Sequence, residues 1–337
     1  MSLPSLDAEP IEFTEWLEIA AFLSETRRAP LVLVVADQEV EEEAEPTDLV
    51  AEDQSREDVL TAVKHLVWQR AQELGDAYPF ELTGGQLRLA DKLNVAQELY
   101  LFALVVSHGA PSGILNGYVD LSRGGVRDLF EAAASFMLAG AAGGPACIIG
   151  GNRRGGAGFL EKLREVYAEM GDGTVVDTPP AGAPANPNDD GVDVVAWSDE
   201  ATPPPRVRYF VGQAATGENW VKKRTHSDVK RWHRQWFIAN TLQSIPKACT
   251  IIPFDLEWWI TVKGANLAGA QDDRRTVRQG YVTGLHEHLG SVFDRSKLAE
   301  LTLQAPADGV VIEGASQLDR IRNFVSGVKG DNLGLRP

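Results

Sequence analysis

Two short apolar segments, joined by a proline-rich connection, constrain the fold of this chain most. They cover residues 192–197 and 207–214, and each carries a polar side chain near one end, Asp193 near the start of the first and Gln213 near the end of the second. Segments of this length, rich in β-branched and aromatic residues, predict strands. The short connection predicts an antiparallel hairpin, in which the start of the first strand lies beside the end of the second. We therefore expect Asp193 and Gln213 to lie close together.

The chemistry of these two side chains predicts a metal site. An aspartate inside an apolar strand costs free energy unless it is paired or binds a cation. The carboxylate of Asp193 and the amide oxygen of Gln213 are ligands that suit Mg²⁺ or Mn²⁺. Lys223 follows in a helical turn that contains Trp220, and it can reach back to the strand ends. From the residues alone, a buried Asp–Lys pair with a hydrogen-bonded glutamine explains the pattern equally well.

Apolar periodicity and turn residues predict the elements around this pair. Helices are predicted over residues 11–27, 55–74, 95–108, 123–139, 159–170 and 227–245. Ser227 is the predicted N-cap of the last helix. Further strands are predicted at residues 31–36, 146–149, 174–176 and 248–253. We expect two domains, a mostly helical acidic domain over residues 1–145 and an α/β domain with a mixed sheet flanked by helices over residues 146–337.

Charge is distributed unevenly along the chain. The formal net charge is −16, which disfavours unaided binding to a polyanion. Residues 39–58 are strongly acidic, whereas residues 206–234 hold eight lysines and arginines against two acids. Such a basic stretch is often only a solvated helix face, but it is the one positive surface that the sequence predicts for nucleic acid.

The remaining motifs predict no further chemistry. The glycine-rich loop 150–158 lacks the Gly-Lys-Ser/Thr that a phosphate loop requires. His286 and His288 lie two residues apart in a helical stretch and therefore face different directions. Cys147 and Cys249 are predicted to be buried, reduced thiols. Because we find neither a long apolar run nor a signal-peptide pattern, we predict a cytoplasmic protein without a membrane segment.

Two separated motifs in the second half resemble a known nuclease family. They resemble the Mrr-like branch of the PD-(D/E)xK (restriction-endonuclease-like) nucleases, over roughly residues 145–300. The matching residues are Phe159 to Gly171, Asp190-Gly191-Val192-Asp193 and Val211-Gly212-Gln213. The motifs are also similar to bacterial proteins encoded near defence and restriction genes.

The resemblance implies a restriction-endonuclease-like core and an Mg²⁺-dependent (or Mn²⁺-dependent) DNA endonuclease of bacterial defence or restriction. Asp193 and Gln213 would bind the metal, and Lys223 and Asp190 would complete the catalytic set. DNA is the expected substrate, with a co-encoded protein as partner and a homo-oligomer as a further possibility. RNA cleavage is a second interpretation, and a catalytically inactive scaffold or binding subunit is the main alternative.

The chain departs from the family pattern at two positions. The family places a lysine two residues after the glutamine, where this chain has Ala215, so the lysine is expected at Lys223, with Lys222 as the next candidate. Many relatives carry a glutamate just after the first aromatic residue of the early helix. In the helix at 159–170 that position is Leu160, so no glutamate is assigned to the site.

Overall fold

A computed structural model describes residues 4–5, 8–36, 46–122, 125–150, 158–183, 190–198, 208–263, 274–307 and 309–330. The fold is mixed α/β. Its helices are α1 Pro10–Leu23, α2 Leu33–Ala36, α3 Pro46–Leu74, α4 Val95–Gly109, α5 Val126–Ala142, α6 Phe159–Met170, α7 Thr225–Trp236, α8 Leu256–Lys263, α9 Arg274–Leu289, α10 Arg295–Leu303 and α11 Leu318–Gly330. Short 3₁₀ helices cover Gly75–Ala77, Glu218–Lys222 and Glu313–Gln317.

The strands form two sheets. They are β1 Arg28–Pro30, β2 Phe80–Thr83, β3 Gln86–Leu89, β4 Ala146–Ile148, β5 Val194–Trp197, β6 Tyr209–Ala214, β7 Lys247–Ile251 and β8 Ser291–Phe293. The small antiparallel sheet has the order β1-β3-β2 and the larger sheet the order β4-β5-β6-β7-β8. In the larger sheet β5 is antiparallel to both neighbours, whereas β6, β7 and β8 are parallel.

Helices cover both faces of the larger sheet. Helix α5 packs on one face, where it shares a core with Val194, Phe210 and Ile251. Glycine at position 212 permits this packing, because a Cβ there would lie 2.8 Å from the side chains of both Leu138 and Ile251. Helices α6 and α7 share the core of the opposite face. The side chain of Gln213 lies on this second face, where its amide contacts Thr225 of α7.

The first part of the chain packs around the small sheet. Helices α1, α3 and α4 enclose a core with β1, β2 and β3. Helix α10, which follows β8, packs against both α4 and α5. Contacts therefore cross position 145, where we placed a domain boundary, and that boundary stays a prediction.

Several predicted elements are confirmed and three are wrong. The helix at 159–170 is found at those residues, and strands lie at 146–148, 194–197 and 209–214. Residues 33–36 form a helical turn rather than a strand, because a short apolar run does not distinguish the two. Residues 174–176 form only a single bridge, between Val175 and Phe237. The helix predicted at 227–245 begins at Thr225, so Ser227 is not its N-cap, and it ends at Trp236, whose carbonyl accepts from Val176 N.

One hairpin was not anticipated. Strands β2 and β3 are joined by Gly84-Gly85, both with positive φ, which is the signature of a two-residue hairpin turn. The glycines in this stretch predicted only the turn.

Candidate active site

Asp193 and Gln213 lie at adjoining ends of two paired strands. The β5–β6 ladder ends with Val194 opposite Gly212, and Asp193 N donates to Gly212 O at 2.9 Å. Asp193 is therefore the residue just before β5, beside the end of β6 that holds Gln213. Both side chains are buried, with exposed fractions of 1% and 7%.

The backbone around Asp193 joins the ends of three strands. Its carbonyl accepts from Ile149 N at 2.8 Å and from Gly150 N at 3.3 Å, just after β4. Its Oδ2 accepts from Ala214 N at 2.8 Å, at the end of β6. One carboxylate oxygen is therefore held by the backbone, which fixes the orientation of the side chain.

Gln213 contacts the hydroxyl of Thr225, which in turn contacts the hydroxyl of Thr250. The end of its amide lies 3.2 Å from Thr225 Oγ1, at the first residue of α7. Thr225 Oγ1 lies 2.6 Å from Thr250 Oγ1 on β7. Thr250 Oγ1 in turn donates to Leu289 O at 2.9 Å. We call Gln213, Thr225 and Thr250 the hydroxyl relay.

Counting hydrogens in the hydroxyl relay orients the Gln213 amide. Each threonine hydroxyl carries one hydrogen. If Thr250 donates to Leu289 O, Thr225 donates to Thr250, and the Gln213 amide must then donate to Thr225. Rotating the amide by 180°, which exchanges atoms of nearly identical shape, places Nε2 at Thr225 and turns Oε1 away from it. In this arrangement each hydrogen bond of the hydroxyl relay has one donor, and Gln213 Oε1 is available to a ligand.

A second buried carboxylate lies near this corner of the sheet. The helix that precedes β4 is α5, and in it Glu131 follows Phe130 and is only 2% exposed. Its carboxylate packs against Gly150, because a Cβ on Gly150 would lie 2.3 Å from Glu131 Oε2. Gly150 N donates to the carbonyl of Asp193. Glu131 therefore lies one backbone link away from Asp193.

Glu131 was not predicted as a site residue, because the family pattern matches the helix at 159–170, where the corresponding position is Leu160. In the structure α6 lies between β4 and β5, and α5 occupies the position before the first strand. The signal was a charged residue within the otherwise apolar stretch Leu129-Phe130-Glu131-Ala132-Ala133. A buried carboxylate in such a stretch is costly unless it is paired or functional.

Lys223 lies at the end of the 3₁₀ helix that follows β6. Trp220 anchors this helix, since it is fully buried and packs edge-on against Trp259 at 5.6 Å. Lys223 is half-buried and Lys222 is exposed. The side-chain ammonium of Lys223 makes no ion pair within the described part of the chain. Its role as the catalytic lysine stays a prediction.

A carboxylate fixes the segment that carries Lys223. Glu218 Oε1 accepts from Ser112 N at 2.7 Å, and Glu218 Oε2 lies 3.3 Å from Lys263 Nζ. Burial favours the neutral acid, but the hydrogen bonds from Ser112 and the charge of Lys263 outweigh it, so the pKa of Glu218 is lowered. The ionised Glu218 thus ties the 3₁₀ helix to the loop after α4 and to α8.

The carboxylate of Asp190 is engaged by structural partners. Arg231 Nη1 lies 2.8 Å from each of its oxygens, and Trp236 Nε1 donates to Oδ2 at 2.7 Å. The hydrogen bond to Asp190 raises the pKa of Arg231. Asp190 also adopts a left-handed backbone with φ of 49°. These contacts indicate a role in holding the loop before β5 onto α7, and a catalytic role for Asp190 stays a prediction.

The side chains at this corner fit a hard metal ion. Asp193, Glu131 and Gln213 offer only oxygen donors, which Mg²⁺ and Mn²⁺ prefer. Within the described residues no cluster of three histidine, cysteine, aspartate or glutamate side chains is close enough to bind a metal ion. A site here would therefore include the Gln213 amide, backbone carbonyls or water.

Comparisons with protein-family models, with curated proteins and with solved structures found no match to this chain. None of the helices in the described ranges has the length and apolar character needed to cross a membrane. Cys147 and Cys249 are both buried and unpaired with each other, and burial raises the pKa of each thiol. The functional proposal therefore depends on the positions of Asp193, Gln213 and Glu131.

Proposed function

We propose that this chain is a metal-dependent nuclease that hydrolyses phosphodiester bonds in DNA, built on a restriction-endonuclease-like core. The observation that carries the proposal is the meeting of two buried oxygen-bearing side chains, Asp193 and Gln213, at adjoining ends of β5 and β6, where Asp193 Oδ2 accepts from Ala214 N. Buried oxygen-bearing side chains at such a place are costly unless they bind a cation or hold the fold together. The buried carboxylate of Glu131 next to the same backbone favours the first explanation.

The arrangement of the larger sheet supports the same proposal. A helix precedes the first strand and packs on one face, and a second helix joins the third and fourth strands on the other face. The sheet is mixed, with β5 opposed to its neighbours. A mixed sheet flanked by helices is the core that the resemblance implies. In this core Glu131 follows the first aromatic residue of the leading helix, where relatives carry a glutamate.

In this proposal the residues of the chain have distinct roles. Asp193, Gln213 and Glu131 would hold Mg²⁺ or Mn²⁺. The bound ion would supply charge that polarises the phosphate and lowers the pKa of a water molecule. Lys223 would neutralise charge that develops on the phosphate oxygens. Thr225, at the amino terminus of α7, keeps the Gln213 amide in place, and the partial positive charge of that helix end favours an anion nearby.

A plasmid-nicking assay tests this proposal. Purified protein should convert supercoiled plasmid to nicked or linear forms with Mg²⁺ or Mn²⁺ and not with EDTA. Asp193→Asn should lower the rate by about 10²-fold or more, because it removes a charge that the reaction needs. Asn retains an oxygen for Ala214 N, so the melting temperature should stay close to that of the wild type. Asp91→Asn, at an exposed surface position, is the matched control.

The lysine assignment is tested with a neighbouring control. Lys223→Ala should abolish cleavage, whereas Lys222→Ala, on the exposed side of the same 3₁₀ helix, should retain it. If the two variants exchange their effects, the catalytic lysine is Lys222. If wild-type protein shows no metal-dependent cleavage of plasmid under any of these conditions, the nuclease proposal is wrong for the isolated chain.

An inactive scaffold is the second candidate, and one observation favours it. The position two residues after Gln213 is Ala215, which is buried, so no side chain there can stabilise charge. A scaffold predicts that Asp193→Asn alters neither cleavage nor assembly. A nuclease that acts with a co-encoded protein predicts cleavage only when that protein is added. RNA as the substrate would appear as cleavage of labelled RNA in place of plasmid.

A further inference from the structure

The outer face of α7 carries cations that form no ion pair within the described residues, in a chain that is otherwise rich in acids. Lys230 and Arg234 are exposed on this face, and neither forms an ion pair with any described residue. Many other cations in the described ranges are paired, including Arg70, Arg295 and Arg322. The protein has 48 acidic residues against 32 lysines and arginines. Unpaired cations gathered on one helix face therefore indicate an external anion.

The spacing along α7 arranges these cations in a row. Arg224, Ser227, Lys230 or Arg231, and Arg234 recur every three to four residues, which places them on one side of the helix. The inner side of α7 is formed by Val229, Trp232 and Trp236, all buried against the sheet. With 12 residues, α7 is about 18 Å long. An open groove of about 420 Å³ runs along the row and is lined by Ser227, Lys230, Arg231, Arg234 and Gln235.

Arg231 differs from its neighbours in this row. Its guanidinium is held by Asp190 and lies 3.6 Å from Asp228 Oδ1. It therefore serves the fold, and the cations available to a ligand are Lys230 and Arg234, with Arg224 at the helix start. Substitution of Lys230 and Arg234 therefore tests the surface and leaves the contact between Arg231 and Asp190 intact.

The position of the row connects it to the candidate active site. Thr225, the first residue of α7, contacts Gln213. A polyanion that lies along the row therefore runs toward the paired strand ends. The exposed residues of the row are basic or polar, and Trp232 and Trp236 are buried, so the face offers no aromatic platform for unstacked bases. A duplex, contacted through its phosphates, fits this surface better than a single strand.

We propose that the outer face of α7 binds the phosphate backbone of double-stranded DNA and guides it to the corner formed by Asp193 and Gln213. The inference rests on the proposed nuclease function for its location, but the binding step is independent of cleavage. Because the whole chain carries a charge of −16, binding is expected to be weak and to depend strongly on salt.

Fluorescence anisotropy with a labelled 30-base-pair DNA duplex, at low salt with EDTA present, tests this surface. Lys230→Glu/Arg234→Glu should weaken binding at least tenfold and make the slope of log affinity against log salt shallower by about two units. The matched control is Lys64→Glu/Lys92→Glu, which changes the net charge equally at two exposed positions outside α7 and should change affinity less than about twofold. Melting curves of both doubles should match the wild type.

The possible outcomes separate the surface from the nuclease proposal. Equal DNA affinity of Lys230→Glu/Arg234→Glu and of the control double variant would contradict the proposed DNA-binding surface, even if wild-type protein cleaves plasmid. Weakened binding by the α7 double alone would support the surface, even if no cleavage is ever seen. No binding of the duplex by wild-type protein at low salt would also overturn it. Tighter binding of a labelled RNA duplex or of a single strand than of the DNA duplex would overturn the choice of ligand.

Discussion

Three buried oxygen-bearing side chains define the chemistry at the residue scale. Asp193, Gln213 and Glu131 come from β5, β6 and α5 or their ends, and each is less than 10% exposed. Each contacts a neighbouring element that orients it. This arrangement suits a site that must be ordered before its ligand arrives.

The first prediction at this scale concerns Glu131. Glu131→Gln should reduce metal-dependent cleavage by about tenfold or more, because a neutral amide holds a divalent cation less strongly than a carboxylate. Gly150→Ala leaves residue 131 unchanged but should have a similar effect, since the added Cβ would displace the Glu131 carboxylate. Plasmid cleavage and isothermal titration with Mn²⁺ are the measurements. Unchanged Mn²⁺ affinity in both variants would remove Glu131 from the site.

The second prediction concerns the hydroxyl relay. Thr225→Ser keeps the hydroxyl and should retain cleavage, whereas Thr225→Val has the same shape without it and should lose activity. The loss should be accompanied by weaker Mn²⁺ binding, because the Gln213 amide is then no longer oriented. A purely structural role predicts a lower melting temperature for Thr225→Val with normal Mn²⁺ affinity, which would contradict the relay.

At the scale of elements, α7 organises the face of the sheet that holds the site. Its inner residues pack on β6 and β7, its first residue contacts Gln213, and Arg231 and Trp236 hold Asp190 in the loop before β5. One helix therefore positions both sides of the strand pair. Displacement of α7 would disturb the loop and the glutamine together.

A prediction at this scale separates a structural from a catalytic Asp190. Asp190→Ala leaves the buried indole N–H of Trp236 without its acceptor and should lower the free energy of unfolding by roughly 1–3 kcal/mol. Asp190→Asn retains an acceptor oxygen and should cost less. Both can be measured by urea unfolding monitored through tryptophan fluorescence. If Asp190→Asn unfolds like the wild type but has lost cleavage, Asp190 belongs to the catalytic set.

At the scale of the whole molecule, a buried network of charges joins distant parts of the chain. Glu15 of α1 contacts Arg295 of α10, Arg70 of α3 at 2.5 Å and His108 of α4 at 2.6 Å. Arg70 also lies 2.6 Å from Glu18. Helix α10 in turn packs against α5, which covers the larger sheet. This network therefore links the N-terminal helices to the part of the fold that carries the site.

The prediction for this network concerns stability. Arg295→Met removes one cation from the fully buried Glu15 and should lower the free energy of unfolding by about 3–5 kcal/mol. In the double variant Glu15→Gln/Arg295→Met the loss should be smaller than the sum of the two single losses, because the residues interact directly. Urea unfolding of all four proteins measures this coupling. Strict additivity would show that the pair contributes no mutual stabilisation.

The same network predicts how stability depends on pH. Burial alone would raise the pKa of Glu15, but Arg295, Arg70 and His108 outweigh it and hold the pKa well below its ordinary value. The stabilisation is then fully present above the unfolded-state pKa of about 4.3 and is lost as the pH falls through the folded-state pKa. Glu15→Gln should show a shallower loss of stability with acid. Unfolding curves with parallel acid slopes for both proteins would contradict this.

Local sequence determined the paired strands and several helices of this protein. The largely apolar runs at 192–197 and 207–214, with a short connection between them, predicted that Asp193 and Gln213 are neighbours, and in the structure Asp193 Oδ2 accepts from Ala214 N, the residue after Gln213. The helical spacing at 159–170 likewise predicted α6. These features depend on residues close together in the chain, where two-residue and 3.6-residue periods are visible.

Tertiary structure decided which helix leads into the sheet, and with it the environment of Glu131. The pairing of β4 with β5 joins residues 146–148 to residues 194–196, and no local pattern encodes a contact over that separation. Three further features also depend on residues that are distant in the sequence. Arg231 binds Asp190, and Thr225 and Thr250 form the relay that orients Gln213. Helix α7 ends at Trp236, whose carbonyl accepts from Val176 N. A side chain's neighbours across the fold depend on how the elements pack, and packing depends on shape and burial summed over the whole chain rather than on spacing within one segment.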